Sequence, residues 1–166
     1  MNDQTLLELA VQTLQARDGD GRAVLEHQLH IPIAAVLAGD AALTAAQRKR
    51  LRYLFTDYEW MLARKLVVQN ETEPVEQGLA WRYQNAKATI AMAWLKGPDV
   101  TTRVLATEQP NGVIAQHLQI RREYGAHELV DLLDFVVPTA VAKQIQTKKL
   151  DLLEWAAAQL PAPAGN

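Results

Sequence analysis

The sequence predicts a mainly α-helical fold: a multi-helix bundle built on a long antiparallel helical hairpin, leaving open one short β-hairpin near residues 100–120. Three observations predict this fold class. Apolar residues recur every three or four positions along most of the chain. Two long stretches with this pattern, 43–69 and 75–96, flank a short turn that contains proline. The 166 residues include no cysteine and are enough to bury a core without disulfide bonds.

The N-terminal part, residues 1–42, is expected to consist of short helices. Apolar residues at helical spacing predict a first helix over 3–17, which the Asp-Gly-Asp-Gly segment at 18–21 ends. A second helix is predicted over 22–29. Pro32 then favours the start of a third helix over 33–37, because proline is well accommodated in the first turn.

The central part, residues 43–98, is expected to form the long helical hairpin. Thr44 is a suitable N-cap for a helix that reaches residue 69 and has an apolar stripe interrupted by arginine and lysine. A turn is predicted at 70–74, after which a second helix continues to Gly97. Two long helices joined by a short connection are expected to pack antiparallel.

The C-terminal part, residues 99–160, has a mixed pattern. Asn111 and Gly112 separate two β-prone runs, which favours a β-hairpin; two short helices around the same turn are the alternative. A buried helix is predicted over 126–137 and a last helix over 139–160. We expect residues 1–160 to fold as a single helical domain, followed by a disordered tail at 161–166.

Composition limits the classes of function. The formal net charge is −2, so the whole chain has no general attraction for nucleic acid or for anionic membranes. The absence of cysteine excludes a disulfide framework and a thiolate zinc site, and it fits a reducing compartment. No apolar stretch approaches the roughly 20 residues that a membrane span needs. We therefore expect a cytoplasmic protein with no membrane partner and no cofactor.

Two histidines give the sharpest candidate for a metal site. His27 and His30 are three residues apart on a predicted helix, so both imidazoles lie near one face beside Glu26. A zinc site needs three or four ligands, and this pair supplies two. Although the set is incomplete, a metal-dependent hydrolase is kept as a second alternative function.

A basic cluster gives the first alternative function. The long helix opens with Arg48, Lys49, Arg50 and Arg52, and residues 43–69 contain six basic and two acidic side chains. Together with the β-hairpin, this order resembles a winged helix-turn-helix regulator that binds duplex DNA. The wing would contribute three further cations, namely Arg103, Arg121 and Arg122. The competing interpretation is that the cluster is neutralised by residues 1–42, which contain six acidic and two basic side chains.

Two tryptophans predict a protein interface. Trp60 and Trp81 lie off the apolar stripes of their predicted helices, where they would cover a second surface. No complete catalytic set is found in the sequence. The first prediction is therefore a non-enzymatic helical interaction or regulatory protein, homo-oligomeric and with another protein as a further partner.

Overall fold

The computed structural model describes residues 2–18, 21–30, 33–74, 76–108, 112–125 and 128–163, and for 15–18 it describes the backbone only. Over these ranges the chain forms eight helices and a three-stranded antiparallel sheet, 55% helix and 18% strand. The predicted mainly helical bundle is therefore wrong, because the fold is of the α+β class. The chain divides into two compact units, residues 1–83 and 84–166.

The elements follow one another in a helical half and a mixed half. The helices up to the sheet are α1 (Asp3–Asp18), α2 (Gly21–Leu29), α3 (Ala34–Leu37), α4 (Ala45–Arg52), α5 (Asp57–Thr72) and α6 (Gly78–Leu95). The sheet and the last helices are β1 (Val100–Glu108), β2 (Ile114–Glu123), β3 (Val130–Val137), α7 (Thr139–Gln146) and α8 (Leu152–Ala158). No helix in these ranges has both the length and the apolar composition that crossing a bilayer requires.

A hydrophobic cluster forms the centre of the first unit. It joins side chains from each of the helices α1 to α5, and each buried leucine stabilises the fold by roughly 1.5–3 kcal/mol. The short helices predicted at 3–17, 22–29 and 33–37 are present with slightly different ends, while Pro32 lies outside the described residues. The buried members of the cluster are Leu6, Leu7, Ala10, Leu14, Leu25, Leu29, Ile33, Val36, Leu43, Leu51 and Val67.

The helix predicted over 43–69 is two helices, so the predicted long hairpin is wrong in its first arm. Thr44 caps α4, and a new helix, α5, starts after Thr56. The Thr56 hydroxyl accepts a hydrogen bond from the Glu59 amide at 3.1 Å, and the Glu59 carboxylate accepts one from the Thr56 amide at 3.1 Å. α4 has already ended at Arg52, and the extended backbone of Thr56 starts α5 as a separate helix.

The second unit contains the sheet, with strand order β1-β2-β3. β1 and β2 pair without a break from Val100 opposite Arg122 to Glu108 opposite Ile114. The alternative of two short helices is therefore wrong, and the hairpin is longer than predicted and continues into a third strand. The helix predicted over 126–137 is wrong as well, because residues 130–137 pair with β2 as β3. Asn111, at the predicted turn, lies outside the described residues.

One face of the sheet packs against helices and is called the helix-covered face. Its side chains come from even-numbered positions of β1 and β2 and from odd-numbered positions of β3. They include the buried Leu118, Ile120 and Leu133. The Phe135 ring meets the Trp155 ring of α8 edge-on at 5.2 Å between centroids. This packing forms the core of the second unit.

The helix predicted over 139–160 is also divided. α7 ends at Gln146, and Lys148 has a left-handed backbone with φ of +56°. Asp151 then caps α8, since its side chain accepts hydrogen bonds from the amides of Leu153 and Glu154. The segment between α7 and α8 consequently turns alongside β1, where it forms part of a groove.

Candidate functional site

The second face of the sheet holds a chain of polar side chains and is called the polar face. Five residues define it: Arg103 and Thr107 on β1, His117 and Gln119 on β2, and Asp134 on β3. Their positions follow from the register, which sets Arg103 opposite Gln119 and Gln119 opposite Asp134. Residues that are 31 positions apart in the sequence therefore meet on one surface.

His117 is the centre of this chain. It is 8% exposed, one of the two polar residues that are buried among the described residues. Its Nδ1 lies 2.8 Å from Asp134 Oδ2, and its Nε2 lies 2.8 Å from Thr107 Oγ1. A neutral imidazole donates through one nitrogen and accepts through the other. Because a carboxylate only accepts, the neutral ring would carry its proton on Nδ1, and Nε2 would then accept the Thr107 hydroxyl proton.

The Asp134 carboxylate is held from its other side. Gln119 Nε2 donates to Asp134 Oδ1 at 3.1 Å, and Arg103 Nε donates to Gln119 Oε1 at 2.7 Å. Arg103 and Thr107 are exposed, whereas Asp134 is half-buried. The chain therefore runs from an exposed guanidinium to an exposed hydroxyl through a buried imidazole.

Sequence reasoning did not single out Thr107 or Gln119, and it did not bring His117 together with Asp134, which it considered only among the carboxylates of a metal-dependent hydrolase. The residue pattern did not indicate this meeting, because Asp134 lies on β3 and residues 126–137 were expected to form a helix. Similarity to a known protein is another route to such residues. No protein-family model, curated protein or solved structure matches this chain.

The outer edge of β1 is a second feature of the unit. The Glu123 amide donates to the Asp99 carbonyl at 3.0 Å, in register with the strand pairs, so odd-numbered residues of β1 bond to β2. The backbone groups of Thr102, Val104 and Ala106 therefore point away from the sheet. Within the described part of the chain, no backbone or side-chain group is hydrogen-bonded to them.

A groove of about 400 Å³ lies beside this edge. Half of its lining residues are apolar, namely Val104, Ile145, Leu150 and Leu152, and half are polar. Its charged members are both basic, namely Arg103 and Lys148. The groove therefore combines apolar side chains, positive charge and an adjacent open strand.

The opposite edge of the sheet is different. The Tyr124 amide donates to the Leu129 carbonyl, which makes Asp134 a position whose backbone points outward from β3. Lys87 of α6 donates its ammonium to this Asp134 carbonyl. The same ammonium lies 4.3 Å from the centroid of the Phe135 ring. A residue of α6 thus bonds one outward carbonyl of the β3 edge.

The predicted nucleic-acid residues on α4 are partly engaged by carboxylates. Arg48 makes two hydrogen bonds to Asp3, Nε to Oδ1 at 2.9 Å and Nη2 to Oδ2 at 2.8 Å. The Arg48 guanidinium holds the pKa of the Asp3 carboxyl below its usual value. Arg52 pairs with Asp57 at 2.8 Å on the exposed surface. Lys49 and Arg50 are exposed and make no ion pair with a described side chain.

The predicted wing arginines lie on both faces of the sheet, in the second unit, whereas α4 belongs to the first. Arg103 and Arg121 share the polar face, where Arg121 lies 3.5 Å from Glu123. Arg122 is on the opposite side, with its guanidinium 5.1 Å from the Tyr124 ring centroid. The three cations therefore do not form one row.

The predicted metal pair is present as two neighbouring rings. The imidazole centroids of His27 and His30 are 6.3 Å apart at the end of α2. Glu26 is used elsewhere, since it accepts a hydrogen bond from the Ile33 amide at 3.2 Å and pairs with Arg22. Over the described ranges, no group of three His, Asp or Glu side chains is placed to hold a metal ion.

The predicted interface tryptophans are half-buried. Trp60 packs against the core of the first unit, and its ring lies 5.8 Å from the Phe55 ring. Trp81 also makes interactions of its own within the chain. The apolar side chains of α5 that are exposed are Met61 at 57% and Val68 at 53%. Their exposure makes them better candidates than the tryptophans for contact with another molecule.

Proposed function

We propose that this protein is an interaction module that binds an extended, acidic segment of a partner protein by strand addition to β1. The observation that carries the proposal is the open backbone edge of β1 beside a basic groove. In strand addition, the main chain of the added peptide bonds to the edge strand, and alternate side chains enter adjacent pockets. The interaction or regulatory function expected from the sequence would then have its binding element in β1.

The edge of β1 lacks several of the usual protections of edge strands. Natural proteins block such edges with proline, a bulge, a very short strand, charged side chains or a covering helix or loop. β1 has nine residues, contains no proline and pairs with β2 without a bulge; it carries the charged Arg103, and the connection between α7 and α8 lies beside it. By contrast, Lys87 bonds a carbonyl of the β3 edge. An edge whose outward backbone groups have no partner among the described residues is what a strand-binding protein needs.

The side chains around β1 favour a particular peptide. An added strand would direct one set of alternate side chains toward Ile145, Leu150 and Leu152, which favours apolar residues. Arg103 and Lys148 flank the same path and favour carboxylates. A segment that alternates valine and glutamate satisfies both requirements.

The test is fluorescence anisotropy with a labelled, end-capped peptide that alternates glutamate and valine. We expect saturable binding that weakens with salt, and weaker binding of the matching lysine and valine peptide. Ala106→Pro removes one outward amide without breaking the ladder to β2 and should weaken binding at least about tenfold. Ala106→Val keeps the amide and is the matched control.

Two outcomes would count against the proposal. Equal affinity of Ala106→Pro and Ala106→Val would show that the β1 edge does not hold the peptide. Dimerisation that Ala106→Pro abolishes would assign the edge to a second copy of the chain, the self-association that the sequence predicts. Light scattering on the same samples separates the two cases.

The absence of cysteine is compatible with action in the cytoplasm.

A further inference from the structure

The polar face contains a hydroxyl, an imidazole and a carboxylate in the order of an acyl-transfer centre. The geometry points to Thr107 as a nucleophile that His117 activates and Asp134 orients, with short aliphatic esters or thioesters as the substrate class. This inference rests on the side chains of Thr107, His117 and Asp134, whereas strand addition rests on the outward backbone of β1; Arg103 belongs to both the polar face and the groove. A nucleophile within hydrogen-bond reach of a base, with the base held by a third group, is the common signature of this chemistry.

The distances satisfy each part of that signature. Thr107 Oγ1 and Asp134 Oδ2 are each 2.8 Å from a nitrogen of His117, one on either side of the ring. The Gln119 amide, which donates to the second Asp134 oxygen, fixes the carboxylate. Asp134 and Gln119 are positioning residues, since they act through His117.

Among serine, cysteine and threonine, the usual nucleophiles of acyl transfer, the chain contains only threonine. The sequence contains no cysteine and no serine. Thr107 is exposed near the end of β1, so an ester can approach its oxygen, whereas His117 is buried behind it. The half-buried Leu105 and Val136 stand opposite His117 on the two neighbouring strands. They provide an apolar surface for a short acyl chain.

The reaction proceeds in two balanced steps. Thr107 Oγ1 attacks the carbonyl carbon while its proton passes to His117 Nε2, and this proton leaves with the alcohol of an ester or the thiol of a thioester as the acyl–oxygen or acyl–sulfur bond breaks. Water then attacks the acyl-threonine ester and gives its proton to the same nitrogen. The bond between the acyl carbon and Oγ1 breaks as Nε2 returns the proton to Oγ1, which releases the carboxylic acid and restores the Thr107 hydroxyl. Asp134 keeps Nδ1 protonated throughout, so that Nε2 remains the basic nitrogen.

The experiment is hydrolysis of p-nitrophenyl acetate and butyrate by the full chain, followed by mass spectrometry of the acylated peptide. We expect acylation of Thr107 and a rate at least about tenfold above that of Thr107→Val, given the 10²–10⁴-fold usual for a positioned base. Thr107→Ser should retain or exceed the wild-type rate, because its primary hydroxyl is less hindered. Thr101→Val, on the same strand and face, should have the wild-type rate.

The role of Asp134 has a separate readout. Asp134→Asn should lower the rate and change its pH profile, because the imidazole loses the carboxylate that selects its tautomer. Thr107→Val and Thr107→Ser change an exposed side chain, so both are expected to fold. Equal turnover by wild type and Thr107→Val, or acyl groups found on lysines alone, would overturn the inference.

Discussion

Arg48 and Asp3 form a bidentate ion pair that joins the start of α1 to α4 across 45 positions of the chain. Asp3 Oδ2 also accepts a hydrogen bond from the Leu43 amide at 3.1 Å. The carboxylate therefore fixes both the arginine and the backbone before α4. Residues 1–42 thus neutralise one cation of the basic cluster, Arg48, while Arg52 pairs with Asp57.

Replacing Asp3 by asparagine is expected to lower the Tm at neutral pH. The pKa of Asp3 is lowered in the folded protein, chiefly by its hydrogen bonds to Arg48. A lowered carboxyl pKa stabilises the fold above the unfolded value of 3.8, and this stabilisation is lost as the pH falls through the folded value. Thermal melts across this range should show the difference between wild type and Asp3→Asn disappear in acid. Arg52→Gln, which breaks an exposed pair, should change the Tm little.

The capping box at Thr56 gives a second prediction. Thr56→Ala leaves the Glu59 amide without its side-chain acceptor and should lower the free energy of unfolding by about 1 kcal/mol. Thr72→Ala, in the last turn of α5, is the control and should have a smaller effect. Urea denaturation measures both values. A larger loss for Thr72→Ala would contradict the division between α4 and α5.

The left-handed residue after α7 gives a third prediction. Lys148→Gly should leave the stability unchanged or raise it by up to about 1 kcal/mol, because glycine adopts a positive φ without strain. Lys149→Gly changes a neighbour whose φ is not positive, so it relieves no strain and should lower the stability through the added freedom of the unfolded chain. If both variants were destabilised equally in denaturant titrations, a continuous helix through residue 148 would be the better description.

Two leucines distinguish the strand β3 from the helix that the sequence predicts. In a helix over 126–137, Leu129 and Leu133 would share one buried face. In the structure Leu129 is 60% exposed and Leu133 is fully buried. Leu133→Ala should therefore cost about 2–5 kcal/mol, and Leu129→Ala should cost less than about 0.5 kcal/mol. Similar losses of unfolding free energy for the two variants would instead support the helix that the sequence predicts.

The prediction that residues 1–160 fold as one domain is testable by calorimetry. Cooperative folding gives a single transition in which the calorimetric and van't Hoff enthalpies agree. Two transitions, with Leu25→Ala shifting one and Leu133→Ala the other, would mean that the units 1–83 and 84–166 unfold independently.

Helices of the first unit could be predicted because their apolar spacing is local. The helix ends were harder: Thr56 with Glu59, and Asp151 with Glu154, are cap patterns inside apolar runs that also fit uninterrupted helices. β3 could not be predicted from its own residues, because a short apolar run fits a buried helix and a strand equally. Its identity depends on pairing with β2, and so does the meeting of His117 with Asp134.

The two edges of the sheet differ, and this limits how copies of the protein can assemble. A sheet with two open edges can add strands in both directions and grow into a fibre. Here Lys87 already bonds the outward carbonyl of Asp134 on β3, whereas the outward backbone groups of Thr102, Val104 and Ala106 on β1 have no hydrogen-bond partner among the described residues. Two copies that joined through β1 would each present β3 outward, where this lysine contact would have to break before another strand could pair at that position. Growth of the native sheet is therefore expected to begin at β1 and to slow once two copies have paired.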